Sequence, residues 1–212
     1  MPYAKNAIDR SRAYYEDDGG TGRPVVMLGG FLDPIDLVRD APVAKALREL
    51  SQEFRLIFVD HRGHGRSDKP HEAAEYAMPL RVADVVAVLD DLDIERAHHV
   101  GISWGGRLVF GIGELAPDRA RSIVIIGQQP YAIDPDGPLA RVVGEALAAS
   151  RTQGIEALID AFEAIAGRYP GPMRSAYLGQ RSPAESRRHR SRQRKRRPRP
   201  AECESPRPWC MS

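Results

Sequence analysis

The chain carries Gly101-Ile102-Ser103-Trp104-Gly105-Gly106, a G-x-S-x-G sequence set between an apolar run and a stretch of helical periodicity. A serine hydroxyl attacks a carbonyl only when the backbone holds it out and a base takes its proton. A strand feeding straight into a helix supplies the turn, and glycines at 101 and 105 let the crossing backbones approach closely. The N–H of Trp104 then points to where an oxyanion develops, with the positive end of a helix behind it. Gly29-Gly30-Phe31 follows another apolar run. It reads either as a plain strand-to-helix turn or as a loop that brings the Phe31 N–H to the other side of the same oxyanion. A third stretch, Asp60-His61-Arg62-Gly63-His64-Gly65-Arg66-Ser67-Asp68-Lys69-Pro70, offers His61 and His64 as bases or metal ligands. An i, i+3 pair in a glycine-rich loop does not fix tetrahedral geometry. The stretch therefore reads as a structural loop in which Asp60 and Arg62 pair or cap, with no metal and no cofactor expected. His98 and His99 read as packed or exposed rather than catalytic.

The elements that must hold these residues follow from periodicity. Val25–Leu28, Arg55–Val59, Ala97–Ile102 and Ser122–Ile126 are short continuous apolar runs, as in strands buried on both faces of a parallel sheet. Tyr14-Tyr15-Glu16, followed by Asp17-Asp18-Gly19-Gly20, reads as a strand running into a hairpin. Val82, Val85, Val86, Leu89 and Leu92 form an amphipathic helical stripe, with Arg81, Asp84, Asp90 and Asp91 elsewhere on the wheel. A second helix spans Gly105 to Ala116 and stops at Pro117. Alternating strands and helices argue for a doubly wound α/β domain. After Gly127 two helical stripes follow one another, Leu139/Val142/Val143/Ala146/Leu147 and Ile155/Leu158/Ile159/Phe162/Ile165. They form either an inserted lid over the sheet edge or two ordinary sheet-covering helices.

Taken together, Gly29-Gly30-Phe31, Asp60 to Ser67 and Gly101 to Gly106 resemble the α/β-hydrolase superfamily, in particular its small esterase, lactonase and cofactor-free haloperoxidase-like members. The resemblance covers about residues 10–181. It implies an α/β-hydrolase fold, a mostly parallel sheet flanked by helices, with a helical cap and a Ser-His-Asp triad. Ser103 takes the nucleophile's place, and the amides of Phe31 and Trp104 take those of the oxyanion hole. A serine here argues against the dehalogenase and epoxide-hydrolase branches, which carry an aspartate. Gly29-Gly30 stands where the family usually has His-Gly. The triad runs Ser, acid, His in chain order. Asp134 is the candidate acid, in the less common position, and the sole histidine after Ser103 is His189, set among arginines that disfavour its protonated form. The expected organisation is a core over residues 1–127, a cap segment over 128–181 and a basic, disordered tail over 182–212. The last strands of the family pattern, its acid and its histidine would then be missing.

Charge marks the same boundary. The chain has 31 Lys and Arg against 29 Asp and Glu, a net +2. Residues 182–212 hold ten basic residues and three acidic ones, so a +7 segment is joined to a −5 body. The segment has no Val, Ile, Leu or Phe and cannot supply a buried strand. It reads as a non-specific nucleic-acid binder, as a solvated tail, or as a shifted reading frame of a GC-rich gene; its Arg, Pro, Ser and Ala content favours the last. Cys203 and Cys210, the two cysteines, both lie there, outside any zinc spacing. No disulfide framework, signal peptide or membrane span is expected, and a cytoplasmic location fits. The function expected first is a serine hydrolase acting on a small ester, lactone or similar carbonyl. An impaired or frameshifted hydrolase comes second, and a basic-tailed nucleic-acid binder last.

Overall fold

A computed structural model describes residues 2–50, 53–129, 136–166 and 168–179. The order of elements is β1 (Tyr3–Lys5), β2 (Arg12–Asp17), β3 (Arg23–Leu28), α1 (Ile35–Asp40), α2 (Pro42–Glu49), β4 (Phe54–Asp60), α3 (Met78–Asp91), β5 (Ala97–Ile102), α4 (Trp104–Leu115), β6 (Ala120–Ile126), α5 (Pro138–Gln153), α6 (Ile155–Ala166) and α7 (Gly171–Leu178). The strands form one six-stranded sheet in the order β1-β2-β4-β3-β5-β6. β2 runs antiparallel to β1 and β4, and β3 to β6 pair in parallel.

The continuous apolar runs of β3 and β4 are explained by two cores, one on each face. Val26, Leu28, Ile57 and Val59 pack with Val82, Val85, Val88 and Leu89 of α3 and with Leu108, Val109 and Ile112 of α4. The alternate residues Val25, Met27, Leu56 and Phe58 pack on the other face with Ile35 and Val38 of α1 and Ala44 of α2. Successive side chains of a strand point to opposite faces, so a strand covered on both sides needs every position apolar.

Three expectations change. β2 does not form a hairpin with the next strand: Tyr14–Asp17 pair with Ile57–Asp60, and β3 lies beyond β4. The turn at Asp17–Gly20 therefore reverses nothing locally; it carries the chain past the place that β4 fills. The run in β6 is not buried on both faces, since Ile123, Val124 and Ile126 are 41, 46 and 37% exposed. Arg81 and Asp84 of α3 are not on a solvated face but buried, and Asp84 is the partner of a buried arginine, Arg62. The Arg62 Nε and Nη2 donate to the two Asp84 oxygens at 2.6 and 2.7 Å, and Nη1 donates to Asp9 at 2.8 Å. Asn6 Nδ2 donates to Asp84 Oδ1 at 2.7 Å. A buried charge paired and hydrogen-bonded in this way joins the first turn of the chain to α3 and to the 60–67 loop. The helical stripes after Gly127 lie on α5 and α6; Ala146, Leu158 and Ile159 are buried. Asp134 and residues 182–212 lie outside the described residues. No helix among the described residues is long and apolar enough to cross a membrane.

Candidate active site

β5 ends at Ile102 and α4 begins at Trp104, which leaves Ser103 alone to make the turn. Its backbone sits at φ 50°, ψ −115°, a conformation an L-residue holds only when its surroundings impose it, at a cost of about 1–3 kcal/mol. The surroundings are visible: the Ser103 N–H donates to Ile126 O at 2.7 Å, and its carbonyl accepts from Gly106 N at 2.9 Å. The turn is possible because of the two glycines. A Cβ at 101 would stand 2.4 Å from Gly105 O, and one at 105 would stand 2.3 Å from Leu28 O. Ser103 itself is exposed, held above the sheet edge at the N-terminus of α4.

β3 delivers the second loop. After Leu28 the chain runs through Gly29, Gly30 and Phe31, and Leu32 adopts a left-handed φ of 70°. Asp33 turns back on this loop and accepts the Gly30 N–H at 2.8 Å. Neither the Phe31 nor the Trp104 N–H donates to a backbone carbonyl among the described residues, as expected at the open end of a helix and at a turn.

Ser103, Gly30, Phe31, Leu32 and Asp33 line one cavity of about 260 Å³, closed on its other side by Ile159 and Phe162 of α6, Tyr169, and Tyr177 of α7. Phe31 and Phe162 stand 6.0 Å apart, and Tyr169 meets Tyr177 edge to face at 5.2 Å. The Tyr177 hydroxyl donates to Asp33 Oδ1 at 2.7 Å. Burial, then the Asp33 charge and this bond, push the Tyr177 phenol well up, so it stays protonated and remains the donor. Burial and the charges of Asp33 and Glu163 raise Tyr169 in the same way.

The 60–67 loop supports the site from below. Asp60 is buried and accepts the backbone N–H of Ile35 and of Arg66, each at 2.8 Å, so it ties the start of α1 to the loop. Desolvation raises its pKa against those bonds. His61 and His64 are buried with ring centroids 3.7 Å apart. Burial pushes His64 down to about 4 and His61 well below the ordinary imidazole range, so both are neutral. They do not line the Ser103 cavity. Among the described residues no three metal-ligating side chains gather. His98 bonds Ser122 Oγ at 2.7 Å and His99 is buried against Arg119 O, both on the sheet.

The model of the alpha/beta hydrolase fold family matches residues 23–205. The chain belongs to this family. Within the α/β-hydrolase family it is similar to a non-heme chloroperoxidase from Streptomyces lividans, 35% identical over 155 residues, which is 68% of this chain and 54% of that protein. It is similar to bifunctional epoxide hydrolase 2 from Mus musculus, 33% identical over 90 residues, 42% of this chain and 16% of that protein. The chain thus spans about half, or less, of the length of these curated relatives. Among solved structures, an enol-lactonase from Burkholderia xenovorans LB400 superposes with a TM-score of 0.66 at 25% identity, covering 84% of this chain and 68% of that one.

Of the residues singled out from the α/β-hydrolase resemblance, Ser103 and Phe31 meet at one cavity, and Trp104 follows Ser103 directly. Asp134 and His189 lie outside the described residues. Sequence reasoning missed Asp33, Tyr169 and Tyr177. Asp33 had a weak signal, an acid two residues beyond Phe31 and before Pro34; nothing local to Tyr177 pointed across 144 positions to Asp33.

Proposed function

We propose that the protein is a serine hydrolase of small carbonyl substrates, an ester, lactone or similar compound. Ser103 is the nucleophile, and the N–H groups of Phe31 and Trp104 hold the oxyanion. The reading rests on one observation above the others: Ser103 is held at φ 50° between β5 and α4, facing a cavity it shares with the Phe31 loop. A strained, exposed serine over a helix N-terminus has no packing role that would justify its conformation. The segment that carries α5 to α7, residues 128–181, acts as the cap, and the core spans 1–127. Asp134 is the proposed acid of the triad. The likeness to the enol-lactonase supports a carbonyl substrate. A cytoplasmic location remains part of the proposal.

Hydrolysis of p-nitrophenyl acetate by the wild type beside Ser103→Ala tests the assignment, with a fluorophosphonate label read by mass spectrometry at Ser103. Loss of turnover and of label in the variant is expected; equal rates in the two proteins would refute the nucleophile. A second reading, a domain that binds substrate yet turns it over slowly, is favoured by the cavity wall, which among the described residues carries a carboxylate and two phenols and no imidazole. A serine without a base is a weak nucleophile. Binding without turnover or label would favour it.

A further inference from the structure

The cavity that Ser103 lines combines four aromatic rings with one carboxylate. Phe31, Phe162, Tyr169 and Tyr177 surround the cavity, and Asp33 stands among them. The bonds to the Asp33 carboxylate come from neutral donors, the Gly30 N–H and the Tyr177 hydroxyl. No Lys, Arg or His lines the cavity among the described residues. Arg174, on the same helix as Tyr177, is committed to Glu163 at 2.6 Å and to Asp160 at 2.8 Å. Among the described residues, then, no cation meets the Asp33 carboxylate, which lines the cavity beside the rings. Ring faces attract cations by their quadrupole, and desolvation strengthens the effect.

We propose that the cavity takes a substrate bearing an ammonium group, seated among these four rings against Asp33. That it is a substrate rests on the reading of Ser103 given above; that it binds does not. The two ends of such a ligand are close enough to be served together. A methyl group built on Gly30 would lie 2.7 Å from Asp33 Oδ2 and 3.4 Å from Ser103 Cβ, so carboxylate and serine flank the same glycine. A volume of 260 Å³ has room for about nine water-sized groups, which suits a short ester whose alcohol carries the ammonium two carbons from the oxygen. A carboxylate in the same place would face Asp33, with no cation among the described lining residues to receive it.

Three amides of matched size, which bind without being cleaved, separate charge from shape. They are N-(2-(trimethylammonio)ethyl)acetamide, its neutral carbon isostere N-(3,3-dimethylbutyl)acetamide, and N-acetyl-β-alaninate. Titration calorimetry on the full chain is expected to rank them in that order, with the ammonium about tenfold or more ahead of its isostere. Asp33→Asn is expected to bring the first two within about threefold, since the charge is gone and one acceptor oxygen remains. Phe162→Leu, on α6 rather than on the Gly30 loop, is expected to weaken the ammonium amide and leave the neutral one nearly unchanged. Circular dichroism checks that each variant is folded. The inference is overturned if the neutral isostere or the anion binds as well as the ammonium, if none of the three binds, or if both variants keep the full preference. Ammonium selectivity without fluorophosphonate labelling at Ser103 would sink the hydrolase reading and keep the cavity assignment. Labelling without selectivity would do the reverse.

Discussion

Gly105→Ala is a sharp probe of how the fold positions its serine. The added Cβ would stand 2.3 Å from Leu28 O and 2.6 Å from Gly29 O, where ordinary contact begins at 3.4 Å. Both neighbours are backbone, so no side chain can swing aside. α4 and β3 must part by about 1 Å, an overpacking that costs roughly 1–3 kcal/mol, offset in part by the better helix propensity of alanine. The strand that yields leads directly into Gly30 and Phe31, so the displacement reaches the oxyanion loop. A misplacement of about 1 Å at a reacting centre costs on the order of 100-fold in rate. Gly113→Ala in the same helix is the control: its Cβ would meet only Ile123 Cδ1, at 3.6 Å, and it should gain about 0.5–1 kcal/mol. Urea unfolding gives the stabilities, and the rate of fluorophosphonate capture at Ser103 gives the second readout without requiring turnover. The reasoning fails if Gly105→Ala is as stable and as quickly labelled as the wild type, or if the control loses as much.

Two more outcomes follow from buried polar groups. His64 is pushed down to about 4 in the fold against an ordinary 6.5, so the unfolded chain binds more protons and stability is lost as pH falls from about 6.5 toward 4. Between pH 7 and 5 that linkage amounts to about 2 kcal/mol, with His61 adding in the same direction. Urea midpoints across this window should fall in the wild type, and by less in His64→Phe; equal slopes would contradict the burial argument. Asp84→Ala leaves the buried Arg62 guanidinium with Asp9 as its one remaining carboxylate, beside the carbonyls of Glu75 and Leu80, and about 3 kcal/mol or more is expected to go, seen as a melting temperature lowered by roughly 6 °C or more. A change under 2 °C would mean that water reaches Arg62.

The residues that carry local signals were legible. The apolar runs of β3 to β6 lie within two residues of their observed bounds, and the G-x-S-x-G turn falls on Ser103 between a strand and a helix. What could not be read is what depends on distant partners. A helical wheel puts Arg81 and Asp84 off the apolar stripe of α3, and only the arrival of Arg62 from another loop makes Asp84 an interior residue. The Tyr14 strand and its Gly-rich turn look like half of a hairpin, yet the partner is β4, which comes after β3 in the chain. β1, α1 and α2 are too short or too weakly patterned to stand out. α7 holds no long apolar stripe, so Tyr177 was invisible until the fold laid it on Asp33.

β3 lies between β4 and β5, two strands made after it, and its register with β5 sets Leu28 beside Gly101. Phe31 and Ser103 therefore come together through a long-range pairing, the kind that pays its loop-closure entropy before any contact rewards it. A chain that has collapsed but not zipped β3 to β5 has a serine and no site around it. The fraction of molecules whose Ser103 reacts with a small electrophile is then a count of molecules in which the centre of the sheet is complete. Reactivity at one hydroxyl becomes a folding assay for the centre of the sheet.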